Sequence, residues 1–181
     1  MIELLDCTLR DGSYEVNFAF STTDTKFICS TLEKAGIKFI EVGHGVGLGA
    51  SKNTNQKALH TDEEYMVAAN QALSLSKWGM FCIPGIAEEN DLIKALQNNI
   101  NFIRIGCNLK NMNLSMKFLR LAKKNNISVF VNFMKSGNIP PKEFSKLVKE
   151  AENNGADCAY VVDSSGGMFK DEIKAFHSEI R

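Results

Sequence analysis

Six short runs of almost unbroken apolar residues punctuate this chain, at 2–6 (IELLD), 38–43 (KFIEVG), 79–84 (GMFCIP), 101–106 (NFIRIG), 127–133 (ISVFVNF) and 157–163 (DCAYVVD). A strand with one wet face alternates apolar and polar residues. A run that is apolar at nearly every position is covered on both faces, which is the property of a parallel sheet wrapped by helices. Amphipathic stretches lie between the runs, near 22–35, 62–77, 88–98, 112–124 and 141–154, and a last one begins near 169. Strand then helix, six times over, leaves two architectures: an open doubly wound sheet, or part of an eightfold barrel. Periodicity alone does not choose between them.

Local signals support the helices. Thr61 ahead of Asp62, Glu63 and Glu64 places a capping hydroxyl and acidic side chains where exposed amides and the helix dipole favour them. Pro140-Pro141 sets a proline at a first helical turn, where its missing N–H costs nothing. Gly36 and Gly155 fall where two helices must stop. No linker or low-complexity tract interrupts the pattern, so residues 1–181 are expected to form a single domain. The longest irregular stretch, 44–60, directly follows the second strand and carries Gly45, Gly47 and Gly49.

Composition narrows the function classes. The 21 basic and 21 acidic residues cancel, so charge gives no argument for nucleic acid or an anionic membrane as partner. The five cysteines are odd in number, form no Cys-x-x-Cys pair and sit in or beside apolar segments. They read as buried free thiols of a reducing compartment. No apolar run approaches the roughly 18 residues that span a bilayer, and the first residues lack the form of a signal peptide, so a cytoplasmic location is expected.

In a parallel sheet all strand C-termini face one rim, and polar residues found there converge. They are Asp6, Arg10, Asp11, Glu41, His44, Pro84, Arg104, Asn132 and Asp163-Ser164-Ser165. Carboxylates and an imidazole suit hard or borderline divalent ions such as Mg²⁺ and Mn²⁺. An arginine beside them suits the stabilisation of an enolate, which points to metal-assisted chemistry next to a carbonyl. Singly, each has a plain structural alternative: an Asp after a strand caps a turn, and neighbouring Arg and Asp pair. Tyr14 hangs near the same rim or packs on Phe18 and Phe20. No dinucleotide fingerprint, phosphate loop or Gly-x-Ser-x-Gly elbow is present.

At Asp6-x-Thr8-Leu9-Arg10-Asp11-Gly12 the chain resembles metal-dependent lyases and condensing enzymes that open with this signature on strand 1 of a TIM barrel, including isopropylmalate synthases and hydroxymethylglutaryl-CoA lyases. Ile40 to Ser51, Pro84-Gly85-Ile86 with Asp91-Leu92, and Asp163 to Met168 resemble segments of the 4-hydroxy-2-oxovalerate aldolases. The resemblance implies retro-aldol cleavage of a 4-hydroxy-2-oxo acid to pyruvate and an aldehyde. Asp11 would ligate Mn²⁺ or Mg²⁺, Arg10 would stabilise the pyruvate enolate, and Ser164 and His44 would help bind substrate. Asp6, Glu41 and Asp163 would support them. An aldehyde dehydrogenase partner accompanies some members of this family, and a homo-oligomer is a further expectation.

Two features depart from the resemblance. Tyr14 stands where the aldolases place a histidine base, and a phenol near pKa ~10 is a poor base at neutral pH. The His-x-His pair that completes the metal site in the family occurs nowhere in the 181 residues. Six units of a barrel that needs about 250 residues imply a truncated gene product with an incomplete site, and weak or no catalysis by these residues alone. An acyl-CoA condensing enzyme, and a non-catalytic barrel fragment serving assembly, are the competing expectations.

Overall fold

The structure is a computed structural model that describes residues 2–109 and 112–180. The chain forms two compact units, Met1–Arg104 and Ile105–Arg181. The boundary falls inside the fourth strand.

The first unit contains β1 (Leu5–Asp6), α1 (Thr22–Lys34), β2 (Phe39–Val42), α2 (Ala50–Asn53), α3 (Asp62–Ala72), β3 (Lys77–Cys82), α4 (Glu89–Gln97) and the start of β4 (Phe102–Asn108). β1 pairs with β2 and β2 with β3, both in parallel, with Leu5 opposite Phe39 and Ile40 opposite Trp78. The second unit holds the rest of β4, then α5 (Met112–Lys123), β5 (Ser128–Met134), α6 (Pro141–Asn153), β6 (Cys158–Val161) and α7 (Lys170–Ile180). β5 and β6 are parallel, with Phe130 opposite Cys158. Strand order is β1-β2-β3-β4 in the first unit and β4-β5-β6 in the second. Every strand lies beside its successor in the chain. That is the order of a barrel wall, whereas a doubly wound sheet reverses order at a switch point. The ambiguity left by periodicity resolves to a (β/α)8-type barrel of which six βα units are present.

Burial follows the both-face expectation where strands have neighbours and helices to cover them. β3, β4 and β5 are buried along five or six consecutive residues each. β1 and β6 are the exceptions, half-exposed over most of their length. In the second unit Phe133, Phe144 and Phe176 stack edge to face at 5.1 and 5.3 Å, tying β5, α6 and α7 into one core.

The helix ends expected from the sequence form as described: Thr61 and Glu64 make a capping box, Pro141 opens α6, and Gly36 and Gly155 take left-handed φ of +83° and +98°. One boundary differs. The stretch 62–77 reads as helical throughout, but α3 stops at Ala72. Glu33 of α1 accepts the amides of Ser74, Leu75 and Ser76 at 3.1, 2.8 and 2.7 Å, holding them out of a helix, and β3 begins at Lys77. All five cysteines are free; Cys29, Cys82 and Cys107 are buried, while Cys158 is exposed on β6, against the expectation for it. No helix among the described residues is long and apolar enough to cross a membrane.

Candidate active site

After β1 the chain turns sharply, and backbone groups hold the turn. The carbonyl of Cys7 accepts from the amides of Arg10, Asp11 and Gly12 at 3.1, 2.7 and 3.4 Å. Asp6 fixes the entry, accepting from the Thr8 amide at 2.9 Å and the Thr8 hydroxyl at 3.1 Å, the local bonding that suits Asp to turns. Leu9 is 2% exposed and anchors the turn, while its neighbour Arg10 projects toward β2.

Glu41 on β2 is the hub of the charged cluster. Its side chain is fully buried and both oxygens are taken: Arg104 donates from Nε to Oε1 at 2.8 Å and from Nη2 to Oε2 at 2.6 Å, and Arg10 donates from Nε to Oε2 at 2.7 Å. Two guanidiniums thus share one carboxylate, and both lie on the Phe81 ring, with their carbons 4.9 and 5.0 Å from its centroid. A second carboxylate, Asp11, accepts from Arg10 Nη1 at 2.6 Å, and the Gly45 carbonyl accepts from the same nitrogen at 3.2 Å. Burial works against the Arg10 charge, but Glu41 and then Asp11 outweigh it and hold the guanidinium above its ordinary pKa. Cys7, 3.6 Å from Arg104 Nη2, is pushed up to about 11 by burial and then by Glu41. It stays a thiol at neutral pH.

His44 and Tyr14 occupy the loop side of this cluster. His44 is buried and both ring nitrogens are engaged: Nδ1 accepts from the Val46 amide at 3.1 Å, so Nε2 carries the proton and donates to the Gln56 carbonyl at 3.2 Å. Burial lowers its pKa and keeps it neutral. Its ring stacks on Phe18 at 4.2 Å, and Tyr14 meets Phe18 edge to face at 5.0 Å. Tyr14 therefore packs on Phe18, as one of the two expectations had it, and stays 45% exposed. Burial of the rest of the ring raises its pKa. Gly45 makes the arrangement possible, because a Cβ there would lie 2.7 Å from Tyr14 and 2.9 Å from Phe18.

A cavity of about 420 Å³ opens elsewhere in this unit, beyond the glycine-rich loop, lined by Leu48, Leu59, Met66, Asp62, Asp91 and Lys94 among others. None of the residues expected to act on substrate lines it. Asp62 accepts from the Gly49 amide at 2.7 Å, and desolvation raises its pKa to about 6. Asp91 accepts from the Glu88 amide at 2.9 Å, closing the start of α4. Lys94, at the cavity wall, pairs with Glu63 at 2.6 Å.

The remaining predicted residues belong to the second unit. Asp163 accepts from the amides of Met168 and Gly167 at 2.8 and 3.1 Å, and these bonds lower its pKa. The amides of Gly166 and Gly167 are thereby taken by the Asp163 carbonyl and carboxylate. Ser164 Oγ accepts from the Lys135 amide at 2.9 Å, which leaves its hydroxyl proton to donate.

The sequence lists Arg10, Asp11, Glu41, His44 and Arg104 together, and the structure joins Arg10, Asp11, Glu41 and Arg104 through direct ion pairs. It adds Phe81, which reads in sequence as an ordinary core aromatic, and Asp62, which reads as a helix-start acid. Asp11 is a single exposed carboxylate already paired with Arg10, and among the described residues no group of three or more His, Cys, Asp or Glu is placed to hold a metal ion. These residues do not by themselves make up a metal site.

Comparison with known proteins matches the HMGL-like family over residues 1–181. A 4-hydroxy-2-oxovalerate aldolase of Carboxydothermus hydrogenoformans is 33% identical over 96% of this chain and 52% of its own length. An oxaloacetate decarboxylase of Mycobacterium tuberculosis is 32% identical over 98% of this chain and 52% of its own. The chain spans about half the length of the curated relatives it matches. Among solved structures, the N-terminal domain of an aldolase candidate from Bacteroides vulgatus superposes with a TM-score of 0.75 at 24% identity, covering 99% of this chain and 60% of that one. The carboxyl transferase domain of Rhizobium etli pyruvate carboxylase, solved with pyruvate and biocytin, gives 0.76 at 18%, covering 99% and 33%. At these identities the likeness concerns the fold.

Proposed function

This chain belongs to the HMGL-like family, and from that premise we propose that it serves carbon–carbon lyase chemistry on a 2-oxo acid, with Arg10 as the group that stabilises the enolate. One observation carries the reading. Arg10 is anchored through Nε on Glu41 and through Nη1 on Asp11 and the Gly45 carbonyl, while Nη2 has no acceptor among the described residues. A preorganised guanidinium donor of this kind acts where negative charge develops.

In the retro-aldol form, the C3–C4 bond of a 4-hydroxy-2-oxo acid breaks and its electron pair passes into the pyruvate enolate. The 4-hydroxyl proton passes to a water molecule acting as base and the aldehyde departs; the enolate then takes a proton from water at C3. Arg10 Nη2 donates to the enolate oxygen. The divalent ion that the resemblance implies, Mn²⁺ or Mg²⁺, would need ligands beyond Asp11 that the described residues do not bring together.

Tyr14 favours a second form. Its phenol is raised by burial and holds its proton at neutral pH, so it donates to substrate rather than removing the hydroxyl proton. Decarboxylation of a 2-oxo diacid, as in the named relative, yields the same enolate as carbon dioxide leaves, and requires no base at that position.

Pyruvate release from 4-hydroxy-2-oxovalerate and from oxaloacetate, with Mn²⁺ and against metal-only controls, tests both. The expected result is slow release that falls by two orders of magnitude or more in Arg10→Met, in line with loss of an oxyanion donor at ~10²–10³-fold. Release from oxaloacetate alone selects the second form. Release unaffected by Arg10→Met, or no release together with no binding of oxalate as an enolate mimic, overturns the proposal.

A further inference from the structure

The Glu41 cluster contains one more arginine than the enolate chemistry uses. A carboxylate facing a single arginine is met most strongly by two parallel N–H bonds, fork to fork. Glu41 has such a partner, but it is Arg104: Nε to Oε1 at 2.8 Å and Nη2 to Oε2 at 2.6 Å. Arg10 reaches the same carboxylate only through Nε, on the oxygen that Arg104 already shares. The edge Arg10 would need for its own fork is Nε with Nη2, and Nη2 is the nitrogen without an acceptor among the described residues.

We infer that Arg104 is a positioning residue that fills the fork of Glu41, limits Arg10 to one bond with that carboxylate, and so keeps Arg10 Nη2 open for the substrate oxyanion. The inference rests on the reading that Arg10 meets a 2-oxo acid. Three features of the structure maintain the arrangement. Both guanidiniums lie on Phe81, which limits their swing. Asp11 and the Gly45 carbonyl hold Arg10 Nη1 on the side away from Glu41. Glu41 is fully buried, so water does not compete for its oxygens. Without Arg104, Oε1 would be vacated inside this closed cluster, and a small rotation of Arg10 would satisfy it with Nη2. The guanidinium would remain, charged and paired, but its substrate-facing donor would be spent.

The test follows the Arg10 side-chain N–H resonances by ¹⁵N NMR, together with oxalate affinity by calorimetry, in wild type, Arg104→Met, Arg104→Lys and Arg104→Met/Glu41→Gln. In Arg104→Met the Arg10 Nη2 protons are expected to become protected and shifted, and oxalate to bind ~10- to 100-fold more weakly, the loss of one bond to a charged group. Arg104→Lys fills Oε1 with a point donor and no fork, and falls between the two. Adding Glu41→Gln removes the competing charge and returns the Arg10 resonances and most of the affinity. A role confined to holding the fold would move thermal stability without moving the Nη2 protons. If Arg104→Met fails to fold, the lysine and double variants carry the same comparison. Arg10 resonances that do not change on replacing Arg104 overturn the inference, whatever the oxalate result. Wild-type protein that binds no oxalate overturns the 2-oxo acid reading, while the Arg10 resonances still decide the positioning role.

Discussion

Glu41 is a fully buried carboxylate of the first unit and Asp62 a half-buried one, and their surroundings differ in kind. Glu41 sits between two guanidiniums that satisfy both its oxygens. Asp62 has the Gly49 amide as its hydrogen-bond donor, and desolvation pushes it up to about 6. Full positive charges hold one anion in the interior; a backbone dipole leaves the other poised to take up a proton. The first is matched by ion pairs, and the second marks a place where the fold carries a desolvated carboxylate.

Removing Glu41 is the most severe way to break this contrast. Glu41→Ala strands two guanidiniums against Phe81 without their carboxylate, and is expected to cost about 3–5 kcal/mol of unfolding free energy in urea titrations. A loss under about 1 kcal/mol would mean that solvent reaches the cluster freely.

The Asp62 side of the comparison is pH-dependent. A folded pKa of about 6 above the ordinary carboxyl value of 3.8 means that the native state keeps a proton the unfolded chain has already lost. Stability from this group is therefore unaffected below about pH 4, declines as pH rises toward 6, and stays lower above it. The full penalty is about 1–3 kcal/mol. Asp62→Asn should retain the acceptor for Gly49 and remove the decline, so the gap between variant and wild type should widen from pH 4.5 to pH 7. A constant gap would show that Asp62 titrates normally.

A finer change sharpens the same contrast. Lys94 pairs with Glu63 and weakly lowers the Asp62 pKa across the cavity. Lys94→Met should move the Asp62 midpoint upward in a carboxyl ¹³C titration and alter stability by less than about 0.5 kcal/mol. A downward movement would assign the field at Asp62 to groups other than Lys94.

Much of the fold was legible from pattern. The apolar runs located all six strands, and Thr61, Pro141, Gly36 and Gly155 marked helix ends through local chemistry that requires no tertiary partner. The α3 boundary was not legible, because Glu33, some forty residues upstream, decides where it stops. The candidate site divides in the same way. Arg10, Asp11 and Glu41 were visible because ionisable residues at strand ends are conspicuous, and the resemblance gave them roles. That Glu41 is shared unequally by two arginines was not visible, since Arg104 lies sixty-three positions away in an apolar strand. Tyr14 shows both sides: its type was enough to question a base, while only its packing on Phe18 and Gly45 shows how it is held.

By itself the sequence determined the class of fold, the identity of the charged residues at the strand ends, and the helix caps, because periodicity and capping act over a few neighbouring residues. The tertiary structure decided barrel order over a doubly wound sheet, the oxygen that each arginine takes on Glu41, and the nitrogen of Arg10 left without an acceptor among the described residues. Those depend on which distant strands lie side by side and on how few donors one buried carboxylate can accept.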